Sequence, residues 1–196
     1  MRALGFIVLT VACATLSEPI VPRICRAATL EAGPGKRFQR IEEANARAQA
    51  GEVILVYPLG GDQPYQTTAV FVRQRRLTFR GMPSEGSRWV KISGKGFDYS
   101  GRGSTPRAIF QFNPGADDGV LEGLELADAH NGSQNGAGVR INQANQVTIR
   151  NCSIHDNDMG IMSNGDGVPR IRREEGTARS SISARTAGSS TTGLYT

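Results

Sequence analysis

Between Ala137 and Gly165, short β-branched runs alternate with Asn and Gly corners, and the pattern returns. Gly138-Val139-Arg140-Ile141 is followed by Val147-Thr148-Ile149-Arg150-Asn151-Cys152-Ser153-Ile154, then by Gly160-Ile161-Met162-Ser163. Gly138 and Gly160 stand 22 residues apart. A period of that length, built of strands rather than helices, predicts coils stacked along one axis, a β-solenoid. Such a scaffold presents one long exposed face, which narrows function to a few kinds.

Two upstream segments repeat the middle strand. Leu77-Thr78-Phe79-Arg80-Gly81 matches Val147 to Asn151, and Val120 to Leu126 matches Thr148 to Ile154 at a spacing of 28. The longer spacing predicts a loop insertion in one coil. Apolar residues alternate within each copy: Leu121 then Leu124 and Leu126; Ile149 then Cys152 and Ile154. Gly123 or Asn151 breaks the alternation by one step. Both residue types suit a left-handed corner, where a branched Cβ would clash. Each copy therefore reads as strand, corner, strand. Stacked coils would lie roughly 4.8 Å apart, with inward residues, Cys152 included, forming apolar columns. An antiparallel sandwich with Gly-rich turns is the alternative source of short strands.

The start of the fold is also legible. Gly33-Pro34-Gly35 is a turn, and Lys36 to Ala50 reads as a helix with Phe38, Ile41, Ala44 and Ala48 near one face. Gly51 stands at its C-cap, and Glu52 to Pro58 reads as the first strand. A helix there would cover the open end of a solenoid.

The segment GPGKRFQRIEEANARAQAGEVILVYP resembles the N-terminal cap and first coil of right-handed parallel β-helix proteins of the pectate-lyase-like superfamily. VTIRNCSIHDNDMGIMSNG resembles their generic repeat. The resemblance spans about Thr29 to Gly167. It implies an all-β, right-handed parallel β-helix with a short N-terminal capping helix. It leaves activity open, because the superfamily includes lyases, glycoside hydrolases, esterases, epimerases and proteins without known activity.

Three segments are expected: a signal peptide over 1–27, a β-helix domain over 28–167 and a disordered or frameshifted tail over 168–196. Arg2 precedes the apolar run Ala3 to Leu16, too short to span a bilayer. Cleavage is expected after Ala27, or alternatively after Ala14. The first choice removes Cys13 and Cys25 and leaves Cys152 as the lone thiol. After Gly167 the strand pattern gives way to Arg, Ser, Thr and Gly without period. Relatives of this kind continue through further coils, so a frameshift is expected; a short natural form with a flexible tail is the alternative. The net charge of +5 lies at the ends, +2 over 1–27 and +3 over 168–196, leaving 28–167 neutral. A nucleic-acid partner is therefore not expected. Arg73, Arg75 and Arg76 form a small cluster read as a solvated strand face.

Candidate chemistry centres on the chain's two histidines, His130 and His155. In the 28-residue register Asp128 matches Asp156, and His130 matches Asp158. Stacked carboxylates beside an imidazole could bind Ca²⁺ at Asp128, Asp156 and Asp158. They could equally act as an acid/base pair on a sugar. Lyases of the superfamily commonly use Ca²⁺ and a base that removes the proton α to a uronate carboxylate. Arg140 and Arg150 are the nearest candidates for that base, though no lyase motif aligns here. The structural alternative is that Asp128, Asp156, Asn157 and Asp158 are turn residues bonded to their own backbone. Asn142, Asn145 and Asn151 read as turn or ladder residues, and Asp117-Asp118-Gly119 as a turn. Lys95 to Gly103 is Gly-rich but lacks the ending of a phosphate loop. Tyr99 and Trp89 could offer stacking faces for sugars.

The expected function is an exported protein acting on or binding polysaccharide or cell-surface glycan, as lyase or hydrolase. It would work as a monomer, without a membrane span. The alternatives are a non-catalytic β-helix that binds or builds, and a truncated product without function.

Overall fold

The computed structural model describes residues 28–66, 68–102, 105–164, 170–172 and 184–186. These residues form three parallel sheets and one α-helix. The first sheet runs β1 (Thr29–Ala32), β2 (Val53–Val56), β4 (Thr78–Gly81), β7 (Val120–Glu122), β10 (Thr148–Arg150), β13 (Arg170–Arg172). The second runs β5 (Val90–Ser93), β8 (Leu124–Ala127), β11 (Ser153–Ile154). The third runs β3 (Val70–Val72), β6 (Ala108–Phe112), β9 (Ala137–Asn142), β12 (Met159–Asn164), β14 (Ala184–Thr186). From β4 to β12 the chain visits first, second and third sheet in rotation. Every pairing among the described residues is parallel, which excludes the antiparallel sandwich.

Both sequence spacings appear as strand register. Leu121 pairs with Ile149, and Val139 pairs with Ile161. The six-residue difference lies between β8 and β9: ten residues separate Leu126 from Ala137, against four between their partners Ile154 and Met159. The alternation then makes columns. Ile54, Phe79, Leu121 and Ile149 follow one another across the first sheet, all at most 4% exposed. Val70, Phe110, Val139 and Ile161 do the same on the third. Phe79 and Phe110 meet edge-on at 5.0 Å between ring centres, joining the two sheets through the core.

The expected corners are present. Gly123 (φ 70°) separates β7 from β8, and Asn151 (φ 46°) separates β10 from β11. Cys152 follows that corner. It is half-buried rather than enclosed, packing against the core and donating to the Arg150 carbonyl at 3.3 Å.

Three expectations need correction. The helix α1 spans Ile41–Arg47, not Lys36 to Ala50. Residues before it are drawn into a turn, with Phe38 N–H bonded to Glu31 O and Gly33 N–H to Phe38 O. The Glu43 carboxylate then takes the Gln39 and Arg40 amides and starts the helix. At the other end Ala48 is extended and Glu52 captures the Gln49 amide at 2.8 Å, so Gly51 lies beyond the helix end. Second, β1 precedes the helix, so Glu52 to Pro58 does not hold the first strand. Third, strand pairing does not stop at Gly167, because β13 pairs with β10 and β14 with β12. The rest of the expected tail, and the expected signal peptide over 1–27, lie outside the described residues.

The helix covers a sheet edge as expected. Ile41 and Ala44 are fully buried. Asn45 Nδ2 donates to Phe71 O at 2.9 Å, and Glu42 accepts the Ala69 amide at 3.1 Å, so polar groups at β3 find partners.

Candidate functional site

The outward residues of the third sheet form two neighbouring ladders. Phe71, Gln111, Arg140 and Met162 share one register position from β3 to β12. One pleat on, Asn113 lies beside Asn142. These outward polar residues alternate with the inward Phe110, Phe112, Val139 and Ile141. Gln111 Nε2 donates to Asn113 Oδ1 at 2.9 Å, and Asn142 Nδ2 donates to the same oxygen at 3.1 Å. Arg140 reaches Gln111 Oε1 and Asn142 Oδ1, each at 3.5 Å.

A groove of about 390 Å³ opens over this face, lined by Phe71, Arg73, Gly101, Thr105, Gln111, Asn113 and Arg140. Among the described residues no carboxylate lines it. Arg73 lies 5.9 Å from the Phe71 ring centre. Arg140 Nε is buried without a hydrogen-bond partner among the described residues. Burial, with the neighbouring Arg107 charge, lowers the Arg140 pKa. A partly desolvated guanidinium held only by amide oxygens is an incomplete ion pair.

The second groove, about 300 Å³, lies at the corner after β5 and β8, lined by Gly94, Lys95, Gly96, Phe97, Asp128 and His130. Asp128 is left-handed (φ 63°), and its Oδ2 accepts from Ser93 Oγ at 2.7 Å. His130 Nδ1 lies 2.8 Å from Asp158 Oδ1, so the expected register match is a direct contact. Asp158 Oδ2 also accepts the Asn131 amide at 2.8 Å and the Gly136 amide at 3.0 Å. These bonds tie down both ends of the six-residue insertion. Burial opposes the charge of Asp158, but His130 and the two backbone N–H groups outweigh it and lower its pKa.

The stacked carboxylates do not converge. Asp128 N–H bonds Asp156 O at 3.0 Å, so the two corners stack through the backbone. Their side chains part, Asp128 to Ser93 and Asp156 to His155 Nδ1 at 2.8 Å. His155 Nε2 lies 3.5 Å from Glu125. Burial works against its charged form, yet Asp156 and Glu125 together raise its pKa. Among the described residues no three His, Cys, Asp or Glu side chains gather in a way that could hold a metal ion. Asp128, Asp156 and Asp158, whose carboxylates turn to Ser93, His155 and His130, therefore do not fit a shared Ca²⁺ site.

Other expected residues are structural. Asn157 Oδ1 accepts the Ala129 amide at 2.9 Å while its Nδ2 donates to Leu126 O and His155 O. Asp117 Oδ1 accepts from Asn145 N at 2.8 Å. Arg150 is bound to Glu122, which also takes Arg80. Burial disfavours the Glu122 charge, but the two guanidiniums prevail and lower its pKa. Arg150 is thus committed to a surface ladder and is no candidate base. The Arg73 to Arg76 cluster divides: Arg73 lines the face groove, Arg75 lies 3.8 Å from Asp118, and Arg76 forms a left-handed corner. Tyr99 is fully buried, its hydroxyl donating to Thr68 O, and offers no stacking face.

Sequence reasoning missed Gln111, Asn113, Lys95 and Phe97. The first two were readable as polar steps alternating with buried Phe110 and Phe112, Gln111 between them and Asn113 after them; the others lie in a segment without repeat. No family model, no curated protein and no solved structure matches the chain.

Proposed function

We propose that the chain is an exported right-handed parallel β-helix that holds an acidic polysaccharide against the outer face of its third sheet. The β-helix reading is supported by the rotation of the chain through three parallel sheets and by the stacked apolar columns. The functional reading rests on one observation: Arg140 faces a groove lined by amides, a hydroxyl and a second arginine, with no carboxylate beside it among the described residues. A uronate carboxylate would complete that pair bidentately, while Gln111 and Asn113 would meet sugar hydroxyls. Charge-assisted hydrogen bonds of this kind contribute about 1.5–3 kcal/mol. Arg140→Gln should therefore weaken binding of an oligouronate about tenfold to a hundredfold. Unchanged affinity in that variant, or silence across a panel of acidic glycans, would refute the reading.

A second reading, elimination with Arg140 as base, is favoured by the direction of its pKa. The anchoring role is preferred because a guanidinium stays protonated near neutral pH. Release of ultraviolet-absorbing unsaturated uronates would decide for elimination. Export is supported by Arg2 and the apolar run that follows it. A mature N-terminus at Ala28 is expected on the exported protein; an intact Met1 contradicts it. Among the described residues no helix is long and apolar enough to cross a membrane.

A further inference from the structure

The corner groove is separate from the Arg140 face and has different chemistry. Its wall supplies a carboxylate (Asp128), an imidazole (His130), an ammonium (Lys95) and the half-buried ring of Phe97. Ser93 occupies one oxygen of Asp128. Lys95 is exposed and makes no ion pair among the described residues. His130 is held from behind. An ionised Asp158 requires Nδ1 to carry the proton, which leaves Nε2 of the neutral ring as an acceptor. The insertion that carries His130 is itself fixed by Asp158, and by Asn131 Nδ2 donating to Tyr99 O at 2.7 Å. Phe97 is seated on Tyr99, their ring centres 4.9 Å apart. The groove is therefore built rather than left over. Two acceptors, one donor and an aromatic ring within about 300 Å³ match a small polyol with an apolar C–H face.

We propose that this corner groove binds a neutral hexopyranose unit through a vicinal diol. Asp128 and His130 Nε2 accept from adjacent hydroxyls, Lys95 donates to a hydroxyl or ring oxygen, and Phe97 packs against the sugar's C–H face. Asp158 is a positioning residue, because it touches the imidazole and not the sugar. The site adds a neutral subsite to the acidic-glycan reading and stands independently of it.

The chain's two histidines make a direct probe. In proton NMR of the full chain, each imidazole Hε1 gives one signal, assigned with a His155→Gln variant. Methyl β-glucoside, methyl β-galactoside and methyl α-mannoside are titrated in turn. At least one should move the His130 signal saturably while the His155 signal stays still. Asp128→Asn keeps the left-handed corner and an acceptor for Ser93, and should weaken binding at least tenfold. Lys95→Ala, at an exposed position, should weaken it several-fold. Arg140→Gln should leave the titration unchanged, which separates this site from the acidic-glycan groove. Asp158→Asn should alter the ¹⁵N shifts that report the His130 tautomer. The proposal is overturned if none of the three glycosides gives a saturable shift. It is equally overturned if both histidines respond alike, or if Asp128→Asn binds as the parent does.

Discussion

Gly81→Ala probes the packing of β4 beside β7 at a single atom. Gly81 ends β4 outside the left-handed region, so an alanine there meets no backbone strain of its own. The cost comes from the neighbouring strand. A Cβ at Gly81 would lie 2.0 Å from the carbonyl oxygen of Gly123, far inside contact distance, and 3.1 Å from the Leu124 side chain. That oxygen accepts the Val90 amide at 3.1 Å. Relieving the clash must push the carbonyl aside, at about 1–3 kcal/mol for overpacking. It must also weaken one hydrogen bond, about 1 kcal/mol. Together they give about 2–4 kcal/mol, a fall in Tm of about 4–16 °C for a chain of this size. Gly86→Ala is the control. Gly86 has φ 85° with nothing within 4 Å of its would-be Cβ, so only left-handed strain applies, about 1 kcal/mol. Thermal melts followed by circular dichroism compare the two. If Gly81→Ala melts no lower than Gly86→Ala, the close approach of β4 and β7 is not as described, and the stacking argument fails.

Further outcomes follow from the corner contacts and the core. Asn157→Ala removes three bonds to backbone atoms at one corner and should cost about 1–3 kcal/mol, read as a lower urea midpoint; an unchanged midpoint would deny Asn157 its role. Asp158 has a lowered folded pKa, so its stabilisation is present above the unfolded carboxylate value of about 3.9 and is lost as pH falls through the folded value. Asp158→Asn should therefore flatten the loss of stability below about pH 4, and an identical acid limb would count against the bonded carboxylate. Burial raises the Cys152 thiol to about 11 from 9.0, so its thiolate near pH 8 should be about a hundredfold scarcer than in an ordinary thiol. Labelling by a thiol reagent at the rate of a free cysteine would contradict this.

The repeat was legible because stacking demands it. The spacings of 28 and 22 both became register, and their difference located the insertion after β8. Gly123 and Asn151 were readable because left-handed corners admit few residue types. The helix was overrun because the apolar spacing of Phe38 and Ala48 continues past its ends, while the Glu43 and Glu52 carboxylates stop it there. At the site the same contrast holds. The match of His130 with Asp158 became a contact, because both side chains leave the corner together. The match of Asp128 with Asp156 did not, because each carboxylate found a nearer donor, Ser93 or His155. Register predicts which residues stack, not which partner a short polar side chain selects. The non-repeating segment after β5 contributes to both grooves, and no period could have announced it.

The most direct test of the functional account is calorimetric titration of the parent chain and Arg140→Gln with one oligouronate, at low and at physiological salt. The account predicts measurable binding by the parent that weakens with salt, and a loss of about tenfold to a hundredfold in the variant. Binding that is indifferent to both Arg140 and salt, or no binding by the parent, would contradict the claim that this face holds an acidic glycan.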